Sequence, residues 1–207
     1  MPEYSYQKYS ERSDEDLANR AAAKDKELEF IFSKIKIPKL DKPRIIVLGC
    51  PDKRMVPAYE ALFEKYFGAR ADLTVIDIEI EHLKGAVNVI EHDATIPFPN
   101  PPYNLVYSHV LLKFIETEKQ WNVLENSYKA LTPGGLAIHI FDSEDIEEKN
   151  KLQLDGWFSV PLDRWKDKLK NAGIKYELLS YSFEGQILGI NPNAVRGLKG
   201  VALVLVK

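Results

Sequence analysis

The apolar positions of this chain change their period along its length. Over residues 13–37 they keep helical spacing: Leu28, Ile31, Phe32 and Ile35 share a stripe, Ser13 reads as an N-cap, and Asp14, Glu15 and Asp16 fill the first turn. A helix is predicted there, closed by Ile37-Pro38 and Lys42-Pro43, with residues 1–12 a loose polar arm before it. From Arg44 onward short strand-like runs alternate with amphipathic helices. Strands are predicted over 45–49, 73–78, 87–91, 105–108 and 136–141. Met55, Tyr59, Leu62, Phe63 and Tyr66 mark one helix face before Gly68, and Trp121, Leu124, Tyr128 and Leu131 mark another. Thr117 with Gln120 reads as a capping box opening the second of these helices, and Thr132-Pro133-Gly134-Gly135 as its stop.

The last quarter breaks the alternation. After a helix carrying Leu162, Trp165 and Leu169 and ending at Gly173, strands are predicted over 176–183 and 201–206 with no helix between them. Parallel neighbours need a crossover of about a dozen residues or more, usually helical, so this pair is expected to be antiparallel. The expected fold class is α/β. It has a mostly parallel seven-stranded sheet with an antiparallel last strand, helices on both faces, and an N-terminal helical appendage. Residues 1–43 form the arm and helix, and residues 44–207 the sheet domain.

Composition narrows the function classes. A chain of 207 residues with net charge −3 has no bulk attraction for phosphate backbones. Its single cysteine, Cys50, excludes an intramolecular disulfide and fits a reducing, cytoplasmic location. No apolar run approaches the roughly 20 residues of a membrane span, so no membrane partner is expected. His82, His92 and His139 lack metal-like spacing, and no metal is expected.

The candidate chemistry begins where Arg44-Ile45-Ile46-Val47-Leu48 empties into Gly49-Cys50-Pro51-Asp52-Lys53-Arg54 and a helix. Such strand-to-helix turns cradle nucleotide ligands. Val75-Ile76-Asp77-Ile78 closes the second strand, Glu91-His92-Asp93-Ala94 follows the third, and Tyr103-Asn104-Leu105-Val106-Tyr107-Ser108-His109 spans the fourth. With Leu131-Thr132-Pro133-Gly134-Gly135 before the fifth, residues 44–207 resemble the Rossmann-like class I S-adenosylmethionine-dependent methyltransferases. The resemblance implies S-adenosylmethionine as cofactor, with Asp77 on the ribose hydroxyls and Asp93 on the adenine amino group. It departs in the first turn, where Val47 stands for the usual acidic residue and Pro51 and Lys53 for glycines, and Asn104 stands for the usual Asp. The adenosine half is therefore expected to be intact and the methionine half altered.

The candidate cofactor contacts are Gly49, Cys50, Pro51, Arg54, Asp77, Ile78, Asp93, Ala94 and Ser108. Asp77 and Asp93 read either as these contacts or as ordinary carboxylates at strand ends. Lys53 and Arg54 are either solvated in a turn capped by Asp52 or stand in for the missing glycine amides toward an anion. Cys50 fits packing better than nucleophilic chemistry. His109 is the candidate catalytic residue, as a base or a positioner of the acceptor, or else it holds its own loop. The acidic run from Asp142 to Glu148 is expected to be solvated, Trp157 and Phe158 to pack or line the acceptor side, and Arg196 and Lys199 to lie in a basic loop. The expected activity is methyl transfer to a small-molecule acceptor, with RNA and protein acceptors open. The alternatives are a catalytically inactive binding or scaffold protein and a different adenosine- or nucleotide-binding enzyme.

Overall fold

The computed structural model of the chain describes residues 12–146, 157–183 and 199–207. Among these residues the elements are α1 (Asp14–Lys34), β1 (Arg44–Leu48), α2 (Met55–Phe67), β2 (Asp72–Asp77), β3 (Val89–Glu91), β4 (Tyr103–His109), α3 (Thr117–Lys129), β5 (Leu131–Asp142), α4 (Leu162–Asn171), β6 (Lys175–Ser182) and β7 (Lys199–Val206). The strands form one sheet in the order β3-β2-β1-β4-β5-β7-β6. Six run parallel, and β7 runs antiparallel to both β5 and β6. The predicted α/β sheet and its antiparallel last strand are thus present.

Strand periodicity separates two cores. Ile45 and Val47 of β1 pack with Leu105 and Tyr107 of β4 on the face covered by α1 and α2. Ile46, Leu48 and Val106 pack on the other face, with Val123 and Leu124 of α3 and Trp165 and Leu169 of α4. Burial on both faces is why these strands read as continuous apolar runs. The appendage shares the first core: Leu28 and Ile31 of α1 are fully buried there, about 1.5–3 kcal/mol of transfer free energy each. Ser13 caps the helix as predicted, accepting a hydrogen bond from the Asp16 amide.

Two local expectations are corrected. Thr117 and Gln120 do not form a capping box, because Glu116 is the N-cap and makes no side-chain cap bond. Thr117 Oγ1 instead donates to the Ser159 carbonyl. Buried Gln120 donates to the carbonyls of Leu112, Ile115 and Ser159 and accepts from Trp165 Nε1, which ties α3 to α4. Likewise Thr132-Pro133-Gly134-Gly135 does not stop the helix, which ends at Lys129 with Ala130 as its C-cap, but lies within β5, at a register shift against β4. The Gly134 amide donates to the Lys207 carbonyl and the Lys207 amide to Gly135, drawing this segment against the end of the chain. The polar arm over residues 1–11, Glu147, Glu148 and the loop bearing Arg196 lie outside the described residues.

Gly200 shows how tightly the antiparallel pair is built. It faces Tyr181 in the β6–β7 register, and a Cβ at this position would run into the Tyr181 ring and hydroxyl. That hydroxyl donates to Glu27 Oε1 at 2.5 Å, so the ring cannot swing away without breaking a buried bond. Gly200→Ala is expected to destabilise the protein by about 1–3 kcal/mol, read as a lowered urea midpoint. An unchanged midpoint would show that the ring is not pinned.

Candidate functional site

The sheet changes direction between β1 and β4: the chain winds outward through β2 and β3, then returns to lay β4 on the other side of β1. Open α/β sheets offer their ligand crevice at the carboxyl ends of the strands flanking such a reversal. Here those ends present the turn after β1, Asp77, Asp93 and His109. Gly49 has φ +78°, a left-handed conformation that glycine adopts without strain, and its amide donates to the Ile76 carbonyl at 2.8 Å.

The turn is held by side chains. Asp77 Oδ2 accepts the Cys50 amide at 2.9 Å, while His82 Nε2 donates to the Cys50 carbonyl at 2.7 Å. The two peptide groups flanking the Cys50 Cα are thereby each held by a side chain. Asp52 accepts the Arg54 amide at 2.9 Å and binds the Arg54 guanidinium through both oxygens. Its carboxyl is held below the usual range, the Arg54 bonds outweighing a burial effect that pushes the other way.

Four of the sequence-predicted residues come together. β2 and β3 are in register at Asp77 and Glu91, and the His92 amide donates to the Asp77 carbonyl at 2.8 Å. This sets Asp77-Ile78 beside Asp93-Ala94. Ile78 is 59% exposed and Ile96 50%, an unusual display of large aliphatic side chains next to two carboxylates. Asp93 Oδ1 accepts the Thr95 amide at 2.8 Å.

Others are placed elsewhere. Ser108 is 1% exposed, and its hydroxyl is bonded to His139 Nδ1 at 2.7 Å inside the sheet, so its side chain does not reach the crevice. Burial draws the His139 imidazole down to about 3, which keeps it neutral. Arg54 faces α1: beyond Asp52 it binds Asp14 Oδ1 at 2.9 Å and the Arg12 carbonyl at 3.1 Å. This engagement leaves it tying the appendage to the turn. The Cys50 thiol is buried and donates to the Asp52 carbonyl, and burial pushes it up to about 12, which rules out thiolate chemistry at neutral pH. Pro51 is half-buried and Lys53 exposed. The acidic run is not all solvated, since Asp142 and Asp145 pair at 3.1 and 3.0 Å with the buried ammonium of Lys113.

The first helix contributes most of what sequence reasoning missed. Glu27 is buried, with Oε2 accepting from His109 Nε2 at 2.8 Å and Oε1 from the Tyr181 hydroxyl. Burial raises its carboxyl, but His109, Lys24 and Tyr181 together bring it below the ordinary value. Lys24, one turn earlier, is 8% exposed, and burial draws its ammonium down to about 8. The signal was present: Lys24 and Glu27 interrupt the stripe of Leu17, Leu28 and Ile31, where a solvated charge does not belong. Beyond His109 the chain bends through Val110 at φ +56°, a strained conformation for a β-branched residue, and lays Leu111 against the turn. Leu111 Cδ1 stands 3.1 Å from where a Cβ on Gly49 would be.

No family model matches the sequence, and no curated protein matches it. Solved structures do. An S-adenosylmethionine-dependent methyltransferase from Mesorhizobium loti superposes with a TM-score of 0.59 at 14% identity, over 91% of this chain and 100% of that one. The N-methyltransferase NodS from Bradyrhizobium japonicum, solved with S-adenosyl-L-homocysteine, gives 0.52 at 13% identity over 98% and 96%. A longer Listeria monocytogenes protein assigned to class I of these enzymes gives 0.57 at 11% identity, and this chain spans 59% of its length while 89% of this chain is covered. The fold is that of the class I S-adenosylmethionine-dependent methyltransferases. At these identities the likeness concerns the methyltransferase fold and not the acceptor.

Within that fold Lys24 leaves a measurable trace. Its proton is bound less tightly in the folded chain than in the unfolded one, so the folded state is penalised below about pH 8 and relieved as pH rises toward the unfolded value. The titratable groups that act on the ammonium besides its burial are Glu27 and Arg20 on α1, Cys50 after β1 and Asp142 at the end of β5. Compared with Lys24→Met, the wild type is expected to gain stability between pH 8 and 10.5. Parallel urea midpoints across that window would show that the amine is not desolvated.

Proposed function

We propose that this protein is an S-adenosylmethionine-dependent methyltransferase acting on a small-molecule acceptor in the cytosol. The observation that carries the reading is the juxtaposition of Asp77-Ile78 with Asp93-Ala94 at the sheet's reversal. A carboxylate is acceptor-only, which suits Asp77 to a pair of ribose hydroxyls. Exposed Ile78 offers an apolar flank to a planar base, and Asp93 is the acceptor for its amino group. These residues fit an adenosyl ligand. When bound, S-adenosylmethionine supplies a methyl group already activated on a sulfonium.

The chain's own task is then alignment and exclusion of water, which can provide much of the acceleration without a nucleophile on the protein. Glu27 accepts the Nε2 proton of His109 and fixes that ring, leaving Nδ1 as the nitrogen able to receive a proton from an acceptor hydroxyl or amine. The position of Leu111, where a side chain on Gly49 would reach, favours a second reading, in which the fold is kept as a binding module without catalysis.

Calorimetric titration with S-adenosylmethionine, S-adenosylhomocysteine and adenine nucleotides separates these readings. Both adenosyl ligands are expected to bind, and Asp77→Ala to weaken them about 10- to 100-fold, the worth of charge-assisted hydrogen bonds. Preference for nucleotides would overturn the methyltransferase reading, and binding without turnover of any acceptor would favour the module.

A further inference from the structure

The ends of β4 and β5 each leave one hydrogen-bonding group open on the same side of the sheet. His109 lies opposite Ile140 in the parallel register, and Asp142 follows Ile140 by two residues, so both side chains belong to the face that α1 covers. His109 meets Glu27 of α1 there. Asp142 stands opposite Gly200, where the Tyr181 hydroxyl crosses on its way to the other oxygen of Glu27. Neighbouring strands run about 4.8 Å apart and alternate residues about 6.6 Å apart along a strand, which sets the Cα atoms of His109 and Asp142 about 8 Å from each other. That gap suits one small polar group held between the two side chains.

Both open groups are acceptors. Glu27 takes the Nε2 proton of His109, so Nδ1 carries a lone pair, and no described residue bonds that nitrogen. Asp142 gives Oδ2 to Lys113 at 3.1 Å and keeps Oδ1 without a hydrogen bond among the described residues, on a side chain 37% exposed. The Lys113 ammonium also pairs with Asp145 at 3.0 Å and lies 4.1 Å from the centre of the Trp157 ring. One cation thus serves two carboxylates, and Asp142 is the one that a ligand can reach, since Asp145 is 3% exposed. A hydroxyl has a single proton and satisfies one of two acceptors, whereas a protonated primary amine has three and satisfies both. We propose that Asp142 selects the acceptor of this site, binding through Oδ1 an amine that His109 Nδ1 holds from the other side. The proposal rests on the methyltransferase reading above and narrows its acceptor to amines. A proton passes from the ammonium to Nδ1 and the N–H electron pair stays on nitrogen. With that pair the nitrogen takes the methyl group as the C–S bond breaks, its electrons remaining on sulfur.

The test uses adenosyl amino acids in which nitrogen replaces sulfur and carries, in place of the methyl group, a 2-aminoethyl or a 2-hydroxyethyl arm that brings an acceptor's reacting group to the site. Calorimetry on the full chain is expected to show the wild type binding the aminoethyl ligand at least tenfold tighter than the hydroxyethyl one, a ratio that needs no variant to fold. Asp142→Asn is expected to cut the ratio below threefold while changing hydroxyethyl affinity less than twofold, and Asp142→Glu to retain part of it. Asp145→Asn removes the same charge from the same cluster and is expected to keep the ratio. Equal wild-type affinities, or an Asp142→Asn variant that keeps the tenfold preference, would overturn the assignment and leave the adenosyl reading standing. Equal loss in Asp145→Asn would make the preference an effect of net charge, and binding of S-adenosylhomocysteine with rejection of both arms would deny the acceptor site; either result also overturns it. If none of the three ligands binds, the adenosyl reading falls and this inference falls with it.

Discussion

The carboxylate of Glu27 lies almost wholly out of water, and both of its oxygens are occupied, by His109 at 2.8 Å and by the Tyr181 hydroxyl at 2.5 Å. A buried charge is tolerated only under such saturation, and removing one partner of a buried pair typically costs about 3–5 kcal/mol. Because the three residues come from α1, the end of β4 and β6, this contact joins the appendage, the ligand edge and the antiparallel end of the sheet. The closeness of Gly200 to Tyr181 belongs to the same arrangement, since only a residue without a side chain leaves room for the tyrosine to reach Glu27.

The site inherits its character from that junction. With α1 anchored at the carboxyl edge, the turn after β1 is held by side chains. The Cys50 backbone is fixed by Asp77 and His82, the cation Arg54 is turned toward α1, and Leu111 stands where a side chain on Gly49 would reach. The strain at Val110 lies at the same place, where the chain leaves β4 and must both aim His109 at Glu27 and set Leu111 on the turn. Strained backbone of this kind persists only where surrounding contacts over-determine it.

The edge formed by the ends of β2 and β3 is simpler, and its position could be read from residues alone. Asp77-Ile78 and Asp93-Ala94 follow directly from strand ends, and strand ends follow from runs of apolar residues broken by polar ones. Ser108 was misplaced because period-2 alternation near a strand's end does not say which side chain clears the sheet; its partner His139 lies on a neighbouring strand. The capping box failed for a related reason. Thr117 and Gln120 have the right spacing, but tertiary carbonyls at Ser159, Leu112 and Ile115 compete for their side chains and win.

The sequence by itself determined the α/β class, the order of strands and helices, the antiparallel last pair and the two carboxylates beside the sheet's reversal, because each depends on local periodicity or on the length of one connection. The sheet order, the clamp on Cys50, the turning of Arg54 toward α1 and the cluster of Glu27, His109 and Tyr181 were decided only by the tertiary structure. Those contacts link residues 27 to 154 positions apart. What selects them is the need to neutralise or hydrogen-bond each buried polar group, a condition that exists only once the chain has folded.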